Sequence, residues 1–234
     1  MPYGFFYFDP LYVILVLPAV ILALLAQWNV NHTFQKYSRV PTHPGMTGKE
    51  AARLVLDRNG LHHVQIELVS GKLSDHFDPR NNVIRLSDEV YHGGNAAAIG
   101  VAAHEAGHAV QYDEGYVPMK IRSAIIPATN IGSNLSIPLI LLGIVFGVPA
   151  LAYAGVIAFS LSTLFQLITL PVEFNASRRA MVAIRECGRF GEEEAGAARK
   201  VLSAAAMTYL AALAVSLANL LRLVVIASGS RRRD

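Results

Sequence analysis

Three uncharged tracts and one long polar stretch divide the chain. Residues 10–35 contain no Asp, Glu, Lys or Arg, and Leu11 to Trp28 is nearly continuous Leu, Val, Ile and Ala. That is enough for one membrane-spanning helix, which needs about 20 apolar residues. Residues 123–172 form the longest uncharged tract, fifty residues between Arg122 and Glu173. Fifty exceeds a single crossing, so the pattern predicts two, joined near Gly147-Val-Pro149. A polar patch at Asn130, Ser133, Asn134 and Ser136 near the start of this tract is either exposed or turned toward other helices. Ala204 to Leu221 is again uncharged and predicts a fourth crossing before Arg222. The expected spans are about 11–28, 131–148, 150–171 and 203–226.

Between the first and second spans the pattern changes. Residues 29–122 carry ten Lys or Arg, mixed acids and turn formers, which predicts a water-exposed domain. Thr47-Gly-Lys-Glu50 is a capping box, and the helix it opens should end at Asn59-Gly60. Val64 to Val69 alternates as a strand, Asp75 to Asn82 reads as a turn-rich loop, and Val83 to Leu86 as a second strand. The two strands form a structural hairpin, or the second offers an edge along which an extended peptide can lie. An alanine-rich helix follows, with Asn95 as its N-cap after Gly93-Gly94 and Gly115 beyond its end.

Composition supports a membrane protein: 53% of residues are hydrophobic, 16% charged, and the mean hydropathy is +0.39. The expected architecture is mainly α, with about four transmembrane helices and a small α+β domain. The segments are an N-terminal anchor (1–30), the polar domain (31–122), a transmembrane hairpin (123–172), a returning helix (173–202), and a last span with a basic tail (203–234). The net charge of +3 is spread without an aromatic-basic stripe, which argues against nucleic acid. One cysteine, Cys187, excludes an intramolecular disulfide and a cysteine-rich zinc site. No basic n-region precedes the first span, so it reads as an anchor and not a cleaved signal. Tyr3, Phe5, Phe6, Tyr7 and Phe8 at one end, with Trp28 at the other, read as interfacial aromatic belts. Eight basic residues flank the span ends on the domain side: Lys36, Arg39, Lys120, Arg122, Arg178, Arg179, Arg199 and Lys200. Against them stand Arg222 and the tail Arg231, Arg232 and Arg233. The positive-inside rule therefore predicts a cytoplasmic domain, although the tail disagrees.

The candidate chemistry lies in His104-Glu105-Ala106-Gly107-His108, the H-E-x-x-H pattern of a zinc hydrolase. Histidines four apart on a helix return within about 40° of one another, so both imidazoles reach one ion. Glu105, about 100° round from His104, can touch the ion's water without being a ligand. Ala102, Ala103, Ala106 and Gly107 leave room for another element to approach closely. A third ligand is required. An even number of crossings separates His108 from Glu173, so Glu173 returns to the same side and is available. It is expected to begin a helix, with Ser177 four residues on along the same face, placed to support the ligand. Spacing alone leaves Glu173 open between a ligand and a charge favoured by a helix N-terminus or the membrane edge. His76 is the next choice. His32, His43, His62, His63 and His92 have no partner at ligand spacing and read as surface residues. His76, Tyr112 and Arg178 have the right chemistry to assist an oxyanion.

Val101-Ala-Ala-His104-Glu-Ala-Gly-His108-Ala-Val-Gln111, preceded by Ser74-Asp-His-Phe-Asp-Pro-Arg80 and Val83-Ile-Arg-Leu-Ser87 and followed by Leu170-Pro-Val-Glu173-Phe-Asn-Ala-Ser177-Arg-Arg179, resembles the YugP-type family of membrane zinc metallopeptidases over nearly the whole chain. The resemblance implies a zincin-like domain in a multi-pass protein of the bacterial inner membrane. It implies one Zn2+ per chain on His104 and His108, with Glu105 catalytic. The Glu-Phe-Asn-Ala-Ser segment is similar to the second motif of gluzincin membrane proteases, which implies Glu173 as third ligand. That motif often ends in Asp where this chain has Ser177. The expected function is a membrane-anchored endopeptidase acting on membrane or membrane-proximal proteins. Its partners are a peptide substrate and the lipid bilayer. A non-proteolytic zinc-binding scaffold is the alternative, disfavoured because a structural site has no need of Glu105. A transporter is disfavoured by the absence of Asp, Glu and Lys from the spans.

Overall fold

The structure, a computed structural model, describes residues 9–42 and 45–230, without the side chains of 229 and 230. The aromatic run from Tyr3 to Phe8, His43, and the tail Arg231 to Arg233 lie outside the described residues. Among the described residues, four helices are long and apolar enough to cross a membrane: Tyr12–Tyr37, Val117–Val145, Pro149–Glu186 and Glu192–Ser228. The molecule is a mainly α membrane protein with a small α+β domain. Each predicted span overlaps one of these helices, and the last three helices run well beyond the uncharged tracts at one end.

The first helix opens with a π-helical stretch, Tyr12–Val16, and continues as α1, Leu17–Tyr37. Next come α2 (Gly48–Arg58), β1 (Gln65–Val69), β2 (His76–Asp78), β3 (Val83–Ser87), the one-turn α3 (Asp88–Tyr91) and α4 (Ala96–Asp113). The long α5 (Val117–Val145), α6 (Pro149–Glu186) and α7 (Glu192–Ser230) complete the chain. The caps behave as the sequence predicts. Thr47 and Glu50 form a reciprocal capping box on α2, and Asn95 Oδ1 accepts from Ala98 N at the start of α4.

The chain forms two compact units. One takes in the chain up to Leu25, Ala124–Leu167 and the chain from Tyr209. Here α5 and α6 approach closely at small residues: a Cβ on Gly132 would stand 2.7 Å from the Ala158 carbonyl oxygen, and one on Gly155 2.6 Å from that of Ser136. Ser136, from the predicted polar patch, is buried, whereas Asn130, Ser133 and Asn134 are exposed. Thr163 and Ser216 share a buried hydrogen bond of 2.8 Å. Arg222 pairs with Asp9 at 2.6 Å.

The other unit, Ala26–Ser123 with Ile168–Thr208, carries the candidate site. Its core gathers Leu56 of α2, Ile84 and Leu86 of β3, Ile99 of α4, Ile184 of α6 and Val201 of α7. The sheet order is β1-β3-β2, with β1 parallel and β2 antiparallel to β3. Two expectations fail here. The stretch Asp75 to Asn82 is not only a loop, since His76–Asp78 forms an edge strand. Nor do the two predicted strands make a hairpin: they run parallel, and β3 sits in the middle of the sheet with both edges occupied. Period-2 patterning cannot register a three-residue strand next to Pro79, and without β2 the direction of β3 is not readable.

Candidate metal centre

Helix α4 presents the motif. Gly107 lets α6 approach so closely that a Cβ on it would meet the Ala176 carbonyl oxygen at 2.8 Å, and Ala102, Ala103 and Ala106 are fully buried around it. This approach sets Glu173 of α6 against both histidines. Glu173 Oε2 lies 3.2 Å from His104 Nε2 and 3.4 Å from His108 Nε2. One ligand atom from each residue falls within 4.8 Å of the others. Tetrahedral zinc ligands at about 2.0–2.1 Å from the ion stand about 3.3–3.4 Å from one another. The two distances from Glu173 match that spacing, and the donor set, two imidazole nitrogens and a carboxylate oxygen, fits zinc in chemistry.

The outer nitrogens of both rings are held. His108 Nδ1 is 3.0 Å from Gln111 Oε1, and Gln111 Nε2 donates to Val172 O at 2.8 Å and to Asn175 Oδ1 at 2.9 Å. Because the Val172 carbonyl can only accept, the Gln111 amide is turned so that Oε1 accepts from His108 Nδ1–H. The Nε2 lone pair is then free toward Glu173, the tautomer a metal-binding imidazole needs. His104 Nδ1 has Ser177 Oγ at 3.1 Å. The chain of contacts continues outward: Asn175 Oδ1 accepts from Arg179 Nε, and Arg179 binds Glu114 through two nitrogens.

Electrostatics point the same way. Burial disfavours a charged His108, but the hydrogen bond that the protonated ring donates to Glu173 and the charge of Glu105 outweigh it and raise its pKa above 6.5. The pocket thus favours positive charge between these groups. Glu173 is 2% exposed, and its second oxygen, Oε1, accepts from Arg122 Nη1 at 3.0 Å. Glu105 is buried too, and its Oε2 accepts from Phe77 N at 3.0 Å. Phe77 N–H thereby points away from β3, along the open edge of the sheet. Burial, aided by the Glu105 charge, pushes the Asp75 carboxyl up, while Asp75 ties β2 to β3 by accepting from Ser87 N and Oγ.

The structure brings His104, His108 and Glu173 together and leaves His76 outside, exposed, with its Nδ1 on Ser74 O. Ser177 supports His104, not Glu173. Glu173 does not begin a helix: α6 runs unbroken through Pro171. This removes the alternative of a charge placed at a helix N-terminus. His32, His62, His63 and His92 are exposed, as expected. Of the oxyanion candidates, Tyr112 packs its ring on Phe77 and Arg178 is exposed. Sequence reasoning missed Arg122, Gln111 and Asn175 as supports of the cluster. Gln111, three residues after His108 on one helix face, carried a readable signal; Arg122 carried none.

Residues 12–228 match the protein family described as "Putative neutral zinc metallopeptidase". The chain is 47% identical over 216 residues to a protein of Bacillus subtilis (strain 168) named "Putative membrane protease YugP", covering 92% of this chain and 96% of the relative. No solved structure matches. With a family match over nearly its whole length, the chain belongs to this family of membrane zinc metallopeptidases.

Proposed function

We propose that the protein is a membrane-anchored endopeptidase in which His104, His108 and Glu173 hold one zinc ion and Glu105 is the general base. The observation that carries this is the convergence of three ligand atoms from α4 and α6 beside a buried fourth residue, Glu105, that is not among them. Zinc, when bound, polarises a carbonyl and lowers the pKa of water toward about 7. Glu105 then takes the proton of the attacking water and returns it to the leaving amine. Gln111 and Ser177 hold the imidazoles in orientation, and Arg122, by donating to Glu173 Oε1, fixes which oxygen faces the histidines.

β2, and not β3, is the edge for the substrate. A peptide lying extended beside it takes the Phe77 N–H as a backbone hydrogen bond and frees Glu105 Oε2 for the proton transfer. The substrates are membrane or membrane-proximal proteins, because Glu173 follows directly on the uncharged tract that ends at Val172 of α6. The non-proteolytic scaffold is disfavoured by the burial of Glu105, a carboxylate that a structural zinc site does not use.

Glu105→Gln should keep zinc and fold while lowering peptide hydrolysis by at least about 10²-fold. Unchanged turnover would remove Glu105 as base and favour the scaffold. The eight basic residues that flank the span ends on the domain side support a cytoplasmic domain, against Arg222 and the three tail arginines. A cysteine at Asn59, with Cys187 replaced, should resist an impermeant thiol reagent in intact cells; labelling there would reverse the orientation.

A further inference from the structure

The facing segments of α6 and α7 enclose a second cleft of about 580 Å³, within the size range of small-molecule sites. Its wall is mostly apolar, with Phe174, Met181 and Val182 from α6 and Leu202 and Met207 from α7. Phe174, Val182 and Met207 are all exposed. Three arginines, Arg178, Arg185 and Arg199, border the same cleft. All three are exposed, and none has a hydrogen-bonding or ionic partner among the described residues. Their neighbours are different: Arg179 is locked on Glu114, and Arg122 on Glu173. The positive charge at this cleft is thus left unmatched by the described residues.

The depth of the cleft is also informative. The uncharged tract of α6 ends at Val172, just before Phe174, and that of α7 begins at Val201, just before Leu202. Phe174 on α6 and Met207 on α7 therefore sit on the membrane side of the three arginines, and Arg185 lies about three helical turns further from the membrane tract than Phe174. This is the order of a lipid, with chain toward the bilayer and headgroup toward water. The cleft is distinct from the substrate edge. Ser177, which lines it, stands on the Nδ1 side of His104, whereas the open side of the cluster faces Glu105 and Phe77.

We propose that this cleft seats one anionic phospholipid of the surrounding bilayer, its phosphate on Arg178, Arg185 and Arg199 and an acyl chain along Phe174 and Met207. Basic pockets beside membrane helices recognise anionic headgroups, and each arginine near the surface strengthens binding about fivefold.

The test uses the full chain reconstituted in phosphatidylcholine vesicles containing phosphatidylglycerol, extracted in mild detergent, with retained lipid counted by mass spectrometry. Wild type should retain phosphatidylglycerol in preference to phosphatidylcholine. Arg178→Gln/Arg185→Gln/Arg199→Gln should bind it about 10²-fold more weakly. The matching triple Lys variant should retain it, and Ser203→Trp, which fills the cleft without touching charge, should release it. Equal retention of both lipids by wild type would overturn the proposal. So would phosphatidylglycerol retained by Ser203→Trp, which would mean adsorption to a charged surface without a seated chain. A co-extracted peptide in place of lipid would make the cleft a protein-docking surface instead.

Discussion

The two compact units solve opposite burial problems. In the unit of uncharged helices, Ile14, Leu24, Val145 and Phe146 are between 66% and 75% exposed, and the polar pair Thr163–Ser216 is turned inward. In the unit of the candidate site, Glu105, His108, Gln111 and Glu173 are at most 8% exposed. Rows of large apolar side chains facing out suit a surface where lipid replaces water. Buried carboxylates and imidazoles are tolerable only where each has a partner, because a buried unpaired charge costs several kcal/mol. The first unit is therefore read from hydropathy alone, while the second is read from who pairs with whom. Its polar groups were kept inside for chemistry that a hydrophobic core does not need.

The comparison can be attacked from several sides. Gly107→Ala should have the largest effect on the site unit: its Cβ meets backbone, not a flexible side chain, so α4 and α6 must separate. A loss of roughly 1–3 kcal/mol in stability is expected, with faster zinc loss in a chelator, measured on the same sample. Retained stability and retained zinc would mean that close helix approach does not build the site. Gln111→Leu should come next. It leaves His108 Nδ1 and Val172 O without partners, and zinc affinity should fall about 10- to 100-fold. An unchanged affinity, by competition with a chelating dye, would remove Gln111 as a support. Thr163→Val in the other unit should be mildest, about 0.6 kcal/mol in a detergent-unfolding titration, with zinc affinity unaltered. A zinc effect there would blur the division between the two units.

The parts of the molecule that follow local rules were legible in the sequence. The spans, the capping box at Thr47, the N-cap at Asn95 and the spacing of His104 and His108 each need only a few neighbouring residues. The small residues around Gly107 signalled a close helix neighbour without saying which. What was not legible depends on distant partners or on context that overrides propensity. A proline such as Pro171 marks a helix boundary by local rules, yet α6 continues through it; helices at a membrane tolerate an interior proline where neighbouring groups can satisfy the freed carbonyl. β2 is too short for an alternation to register. Arg122 meets Glu173 across 51 positions of sequence, with nothing local to mark it.

The most direct test of the account is zinc retention by Glu173→Ala in the full-length protein, by metal analysis after mild chelation. Wild type should keep one zinc per chain. The variant, lacking the only carboxylate that faces both imidazoles among the described residues, should lose it, with affinity weakened beyond the roughly 10- to 100-fold typical of supporting residues. Full zinc retention by Glu173→Ala would contradict the account, because the ion would then rest on a ligand other than the one that ties α6 to the H-E-x-x-H helix.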